Sequence, residues 1–137
     1  MTNSPVLTQL TSINGQLGTV CKILRSDSSS FSGFGEAYIT SVNPLAIKGW
    51  KCHQRMILNL VVLEGRVKFV FYNPNVLSFE DIVVSTAPLC RLTVPAKTIF
   101  AFQGLEARNK ILNLASIPHD PDEVESYPLA TYNYTKW

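Results

Sequence analysis

Hydrophobic and polar positions alternate with a period of two along Arg66-Val67-Lys68-Phe69-Val70-Phe71-Tyr72, so Val67, Phe69 and Phe71 share one face while Arg66, Lys68 and Tyr72 share the other. This is the pattern of a strand with one face in a core and an amphipathic reverse. The run Ile57-Leu58-Asn59-Leu60-Val61-Val62-Leu63 is apolar on both faces except at Asn59, as expected of a central strand covered by a second sheet or by a partner subunit. Turn-forming residues punctuate the chain at Asn14-Gly15 and Gly18, Ser26 to Gly33, Asn43-Pro44, Glu64-Gly65, Asn73-Pro74-Asn75, Ala87-Pro88, Pro95, Gly104 and Pro118 to Pro121. Between them the pattern predicts strands over 5–10, 19–25, 34–42, 46–53, 57–63, 66–72, 81–86, 90–94, 98–103 and 109–115. Short strands at this spacing predict an all-β sandwich or barrel rather than βαβ units. One short helix is expected from Asp120 to Ser126, where Asp120 can cap, Pro121 suits the first helical position, and Asp122 and Glu123 favour the positive end. The tail that follows carries Tyr127, Tyr132, Tyr134 and Trp137. It is too aromatic for a solvated terminus and is expected to pack on the body or on a partner.

The segment Ile47-Lys48-Gly49-Trp50-Lys51-Cys52-His53-Gln54-Arg55-Met56 holds the candidate chemistry. Successive side chains of a strand point to opposite faces, so Lys51 and His53 share one face while Trp50 and Cys52 share the other. If the first of these faces lines a barrel, an ammonium and an imidazole look together into a pocket. Asn59, as a buried amide, needs hydrogen-bond partners, either in a neighbouring loop or on a ligand.

Composition narrows the class. A chain of 137 residues with 46% hydrophobic content fits a single domain over residues 1–137 with a core that needs no disulfides. A formal charge of +2, spread over dispersed basic residues, gives no nucleic-acid surface. No apolar run approaches the roughly 20 residues of a membrane helix, and Met-Thr-Asn-Ser-Pro lacks the plan of a signal peptide. A cytoplasmic protein without a membrane partner is expected. Cys21, Cys52 and Cys90 are widely spaced, with no Cys-x-x-Cys pair, and read as thiols acting as small hydrophobes. Ser26-Asp27-Ser28-Ser29-Ser30 is a polar loop without the surroundings of a catalytic serine. The low charged fraction, 16%, points to a homodimer with an apolar interface.

Gly35-Glu36-Ala37-Tyr38, Ile47 to His53, Asn59, Gly65 and the stretch Ile111 to Glu123 resemble the dTDP-4-dehydrorhamnose 3,5-epimerase family, particularly its short members, over about residues 31–125. The resemblance implies a cupin-type jelly-roll barrel (a double-stranded β-helix), usually dimeric. It also implies metal-free chemistry on a nucleotide-diphosphate sugar, dTDP-linked, whose sugar is a 4-keto-6-deoxyhexose. The ketone acidifies the neighbouring C–H bonds; a base removes one proton, cationic or hydrogen-bonding groups hold the enolate, and an acid returns a proton to the other face. In the family's Arg-Gly-x-His run the histidine is the base. Here Lys48 takes the arginine's place, Gly49 matches, and Lys51 stands where the histidine belongs. His53 occupies the second position of the His-x-His pattern found in some short relatives. Phe100 replaces a polar residue in the run Val94 to Phe102, and Ala115-Ser116 stands where the family's acidic tyrosine would be wanted.

The resemblance therefore implies catalytic roles for His53 and Lys51, with Lys48 and Arg55 for sugar or diphosphate contacts and Asn59 as a further substrate-binding candidate; Tyr38 and Tyr72 join as substrate-binding candidates by their proximity in the expected barrel. Histidine ordinarily titrates near 6.5 and lysine near 10.4, so Lys51 is either a desolvated base or a fixed cation at an enolate or phosphate oxygen. No metal site is expected, since His53 stands alone, with Leu58, Asn59 and Phe100 near the other positions that metal-binding cupins use. No cofactor is implied. Two alternatives remain: a 3,4-ketoisomerase using the same enolate chemistry, and a catalytically silent cupin that binds a sugar nucleotide or a protein partner.

Overall fold

The computed structural model describes residues 4–137. Among these, twelve strands run in chain order: β1 Val6–Gln9, β2 Ser12–Gly15, β3 Gly18–Cys21, β4 Glu36–Val42, β5 Ile47–His53, β6 Leu58–Glu64, β7 Val67–Asn73, β8 Ser78–Val84, β9 Cys90–Val94, β10 Ile99–Gly104, β11 Asn109–Ala115 and β12 Val124–Ser126. They form one five-stranded sheet in the order β1-β9-β6-β11-β4 and a second in the order β12-β5-β10-β7-β8, with β2 and β3 as a separate hairpin. Every pairing is antiparallel. This is the jelly-roll architecture of the cupin type.

The alternation seen in the sequence builds the core. Leu58, Leu60 and Val62 of β6, Leu92 and Val94 of β9 and Ile111 of β11 face Val67, Phe69 and Phe71 of β7 and Phe100 of β10 in one buried cluster between the sheets. The outer faces are covered by different devices. Over the first sheet, the loop between β3 and β4 crosses β6 and β9; Asn59 Nδ2 donates to Ser30 O at 3.1 Å, and Asn59 Oδ1 accepts from Thr93 Oγ1 at 2.7 Å. Over the second sheet, the C-terminal tail packs its aromatics on Trp50, Val70 and Ala101, with Tyr134 buried and Tyr132 and Trp137 against the same cluster. Trp50 is fully buried and its indole N–H donates to Leu129 O at 3.0 Å. The tail thus closes on its own body.

The helix expected from Asp120 to Ser126 does not form. Asp120 Oδ1 accepts the N–H of Asp122 at 2.9 Å in a turn, and the following residues pair with the open edge of β5 in the register Val124↔His53, Glu125↔Cys52, Ser126↔Lys51. The capping signals are real but local, and the unpaired backbone groups of β5 supply a stronger demand. The one helical turn among the described residues, of 3-10 type, lies further on at Leu129–Thr131. The hairpin strand β2, where the sequence reads as a turn, pairs with β3 in the register Ser12↔Cys21 to Gly15↔Gly18.

Candidate active site

Between the two sheets lies a cavity of about 150 Å³ lined by Lys48, Lys51 and His53 of β5, Tyr38 and Thr40 of β4, and Asn113 of β11, with Phe69, Phe100 and Phe102 among its apolar walls. Lys51 and His53 enter it together, as period-two alternation predicts. Lys48 enters too, which alternation forbids. The reason is a bulge in β5: Lys51 pairs with Phe100 and Lys48 with Phe102, so a three-residue step on β5 meets a two-residue step on β10. The extra residue lies at Gly49-Trp50 and returns Lys48 to the inner face. Gly49 is required there, because a Cβ at this position would lie 2.2 Å from the Cβ of Ala101.

His53 is buried in the cavity wall, whereas Lys48, Lys51 and Tyr38 are exposed at its mouth. Neither lysine belongs to an ion pair among the described residues. His53 does have a partner. Its Nδ1 lies 2.5 Å from Oε1 of Glu123, and Glu123 Oε2 accepts the backbone N–H groups of Arg55 at 3.0 Å and Met56 at 3.1 Å. Burial alone would raise the carboxyl pKa, but the hydrogen bonds from His53, Arg55 and Met56 outweigh it and hold Glu123 at about 2. Glu123 is therefore a carboxylate and can only accept, so Nδ1 carries a proton and, in the neutral ring, Nε2 holds the free lone pair. Across the cavity Asn113 Nδ2 donates to the Tyr38 hydroxyl at 2.8 Å, while Asn113 Oδ1 is buried with no partner.

Of the residues singled out from the sequence, Tyr38, Lys48, Lys51 and His53 are brought together at this cavity. The other three are not. Arg55 reaches outward to Asp120, with Nη2 2.8 Å from Oδ2. Asn59 faces the opposite side of its sheet and is spent on Ser30 and Thr93. Tyr72 stacks in the outer aromatic cluster, 4.3 Å from Tyr132 between ring centroids. Glu123 and Asn113 escaped the sequence reading. Asn113 had a signal, being a polar residue in phase with Ile111 and Ala115 on a strand; Glu123, 70 residues from His53, had none beyond its place in the family-like tail. No group of three or more His, Cys, Asp or Glu able to hold a metal ion occurs among the described residues, and no helix among them is long and apolar enough to cross a membrane.

No family model matches the chain, and no curated protein matches it by sequence. Solved structures do. A dTDP sugar isomerase from Desulfovibrio desulfuricans superimposes with a TM-score of 0.85 at 26% identity, covering 96% of this chain and 89% of that one. This chain has the fold of the dTDP-sugar isomerases and epimerases. A sugar 3,4-ketoisomerase from Thermoanaerobacterium thermosaccharolyticum, solved as a histidine-to-asparagine mutant with TDP-4-keto-6-deoxyglucose, gives a TM-score of 0.78 at 19% identity over 91% of this chain and 88% of that one. The dTDP-4-dehydrorhamnose 3,5-epimerase of Sulfolobus tokodaii gives 0.81 at 12% identity over 95% and 80%. At those two identities the likeness is one of fold.

Proposed function

We propose that this protein is a metal-independent epimerase of a dTDP-linked 4-keto-6-deoxyhexose. The observation that carries the reading is the His53–Glu123 pair opening into a cavity whose rim holds two lysines without counter-charges. His53 Nε2 removes the proton next to the ketone, and Glu123 keeps Nδ1 protonated and stabilises the imidazolium that forms. Lys51 acts as a fixed cation at the enolate oxygen. Tyr38 stands on the opposite sheet with its oxygen accepting from Asn113, so its own proton is free to be delivered. Base and acid on opposite walls are what inversion at carbon requires. The orphaned Asn113 Oδ1 takes a sugar hydroxyl. The cavity is small beside ligand sites of roughly 300–1,000 Å³, so the sugar ring enters and the diphosphate stays at the mouth with Lys48.

Turnover of dTDP-4-keto-6-deoxyglucose in deuterated water tests this. Deuterium is expected at C3 or C5 of the product; none from any such sugar would sink the assignment and leave a binding module. A second reading is supported by the likeness to a structure of a sugar 3,4-ketoisomerase. In it the enediolate formed by removing the C3 proton is protonated at C4 instead, O4 becomes a hydroxyl as O3 gives up its proton, and the product is a 3-keto sugar.

A homodimer accompanies this reading. The β2–β3 hairpin leaves Ile13, Leu17 and Val20 exposed, and an isolated two-stranded ribbon is marginal in water without a cover. Light scattering giving a mass of one chain would remove this part of the proposal.

A further inference from the structure

A buried cation lies on the far side of the first sheet from the sugar cavity. Arg91 of β9 is 7% exposed. It is flanked by Cys90 and Leu92, which point into the core, so its own side chain lies on the outer face beneath the β3–β4 loop. Nη1 donates to Ile23 O at 2.5 Å and Nη2 to Ser30 Oγ at 3.3 Å. Both acceptors are neutral. Nε is buried without a partner, and Arg91 belongs to none of the ion pairs among the described residues. Burial, with no opposing charge, pushes the guanidinium below its ordinary pKa. A buried charge without a counter-ion is a costly arrangement, and what relieves it is an anion.

The space for one is present. Arg91 lines an open cleft of about 330 Å³ shared with Lys22, Arg25 and Ser28. Arg25 is tied to Asp27 through Nε and Nη2, each at 2.8 Å, which leaves its Nη1 uncommitted. Ser28 Oγ accepts the Arg25 backbone N–H at 3.2 Å and so keeps its own proton to donate. Lys22 has no carboxylate partner among the described residues. Three cations against the carboxylate of Asp27 leave a double positive excess, which suits a dianion. Guanidinium and hydroxyl donors together match the several acceptor oxygens of a phosphate group.

We propose that the cleft formed by Lys22, Arg25, Ser28 and Arg91 is a phosphate-binding site separate from the sugar cavity. The bound group supplies the missing counter-charge to Arg91 and braces the β3–β4 loop against β9. Ser30 joins this site to the body, since its hydroxyl accepts from Arg91 and its carbonyl accepts from Asn59. The phosphate is either free inorganic phosphate or the terminal group of a small phosphomonoester, and the open cleft admits both.

Thermal unfolding of the full chain, titrated with inorganic phosphate against chloride at matched ionic strength, tests the site. A saturable rise in Tm of about 5 °C or more is expected at roughly 100-fold above half-saturation. The rise is retained in the Lys48→Met/Lys51→Met variant, which disables the sugar cavity's cations, and is lost in Arg91→Met. Absence of a saturable rise, or its loss in the lysine variant with retention in Arg91→Met, overturns the proposal. Should Arg91→Met fail to fold, the exposed pair Lys22→Gln/Arg25→Gln carries the test: half-saturation weakened by about tenfold or more supports the site, and unchanged half-saturation overturns it. A parallel titration with glucose 1-phosphate separates the sources. Tighter binding than inorganic phosphate identifies a phosphomonoester as the ligand, and weaker binding identifies the free ion.

Discussion

The carboxylate of Glu123 divides its two oxygens between a side chain and the backbone: Oε1 meets His53 Nδ1 at 2.5 Å, and Oε2 accepts from the N–H groups of Arg55 and Met56. The arrangement determines which imidazole nitrogen is the base. In Glu123→Gln the two backbone donors claim the amide oxygen, so the NH2 group turns to His53 and forces Nδ1 to accept. The ring proton then moves to Nε2, and the base is lost. A fall in kcat of about 10²–10⁴-fold is expected, with 15N spectra of the imidazole reporting the inverted tautomer. Unchanged turnover would remove Glu123 from the mechanism.

The same carboxylate ties stability to acid. Its pKa is lowered from 4.5 to about 2, so its contribution is complete above about pH 5 and is lost as pH falls toward 2. The shift corresponds to roughly 3 kcal/mol at neutral pH. Urea denaturation across pH 2 to 7 checks this: the wild-type loses stability on the acid side, and Glu123→Gln follows a flatter curve. Parallel curves would contradict the assigned role.

Lys51 stands exposed at the cavity mouth without a carboxylate partner, so its removal tests chemistry with little cost to folding. Lys51→Met is expected to lower kcat by about 10²–10³-fold, as when an oxyanion-holding donor is removed, with Tm nearly unchanged. Lys51→His separates a degenerate site from a re-tuned one. A rise in turnover marks a degenerate site and counts against the role given to Lys51, and a fall marks a cation that the reaction uses.

Gly49 is the steric hinge of the bulge that turns Lys48 inward. An added methyl would meet the Ala101 Cβ at 2.2 Å, so Gly49→Ala is expected to cost about 1–3 kcal/mol by overpacking and to raise KM through displacement of Lys48. The double variant Gly49→Ala/Ala101→Gly makes the room back and recovers part of both losses. Urea melts and steady-state kinetics on the two proteins read the outcome.

Much of the fold was legible because strand patterning is local. The alternation of Val67, Phe69 and Phe71 places these residues in the core as expected, and the doubly apolar run Ile57 to Leu63 becomes strand β6, buried on both faces over residues 58–62. Proximity in the expected barrel makes Tyr72 a site candidate, but the alternation that puts Val67, Phe69 and Phe71 inward turns it outward, where Tyr132 of the C-terminal tail covers it. The Asp120–Ser126 helix failed for a similar reason, since capping residues cannot announce that the distant edge of β5 needs a partner.

By itself the sequence determined that the core is built of strands and that Lys51 and His53 share a face, because both follow from a period of two along neighbouring residues. Tertiary structure alone decided that Lys48 joins them, through a bulge that exists only against β10. It also decided that Glu123 orients His53 across 70 residues and that Asn113 meets Tyr38 across 75. Such pairings are set by register and loop closure, and contacts between residues so far apart leave no periodic trace along the chain.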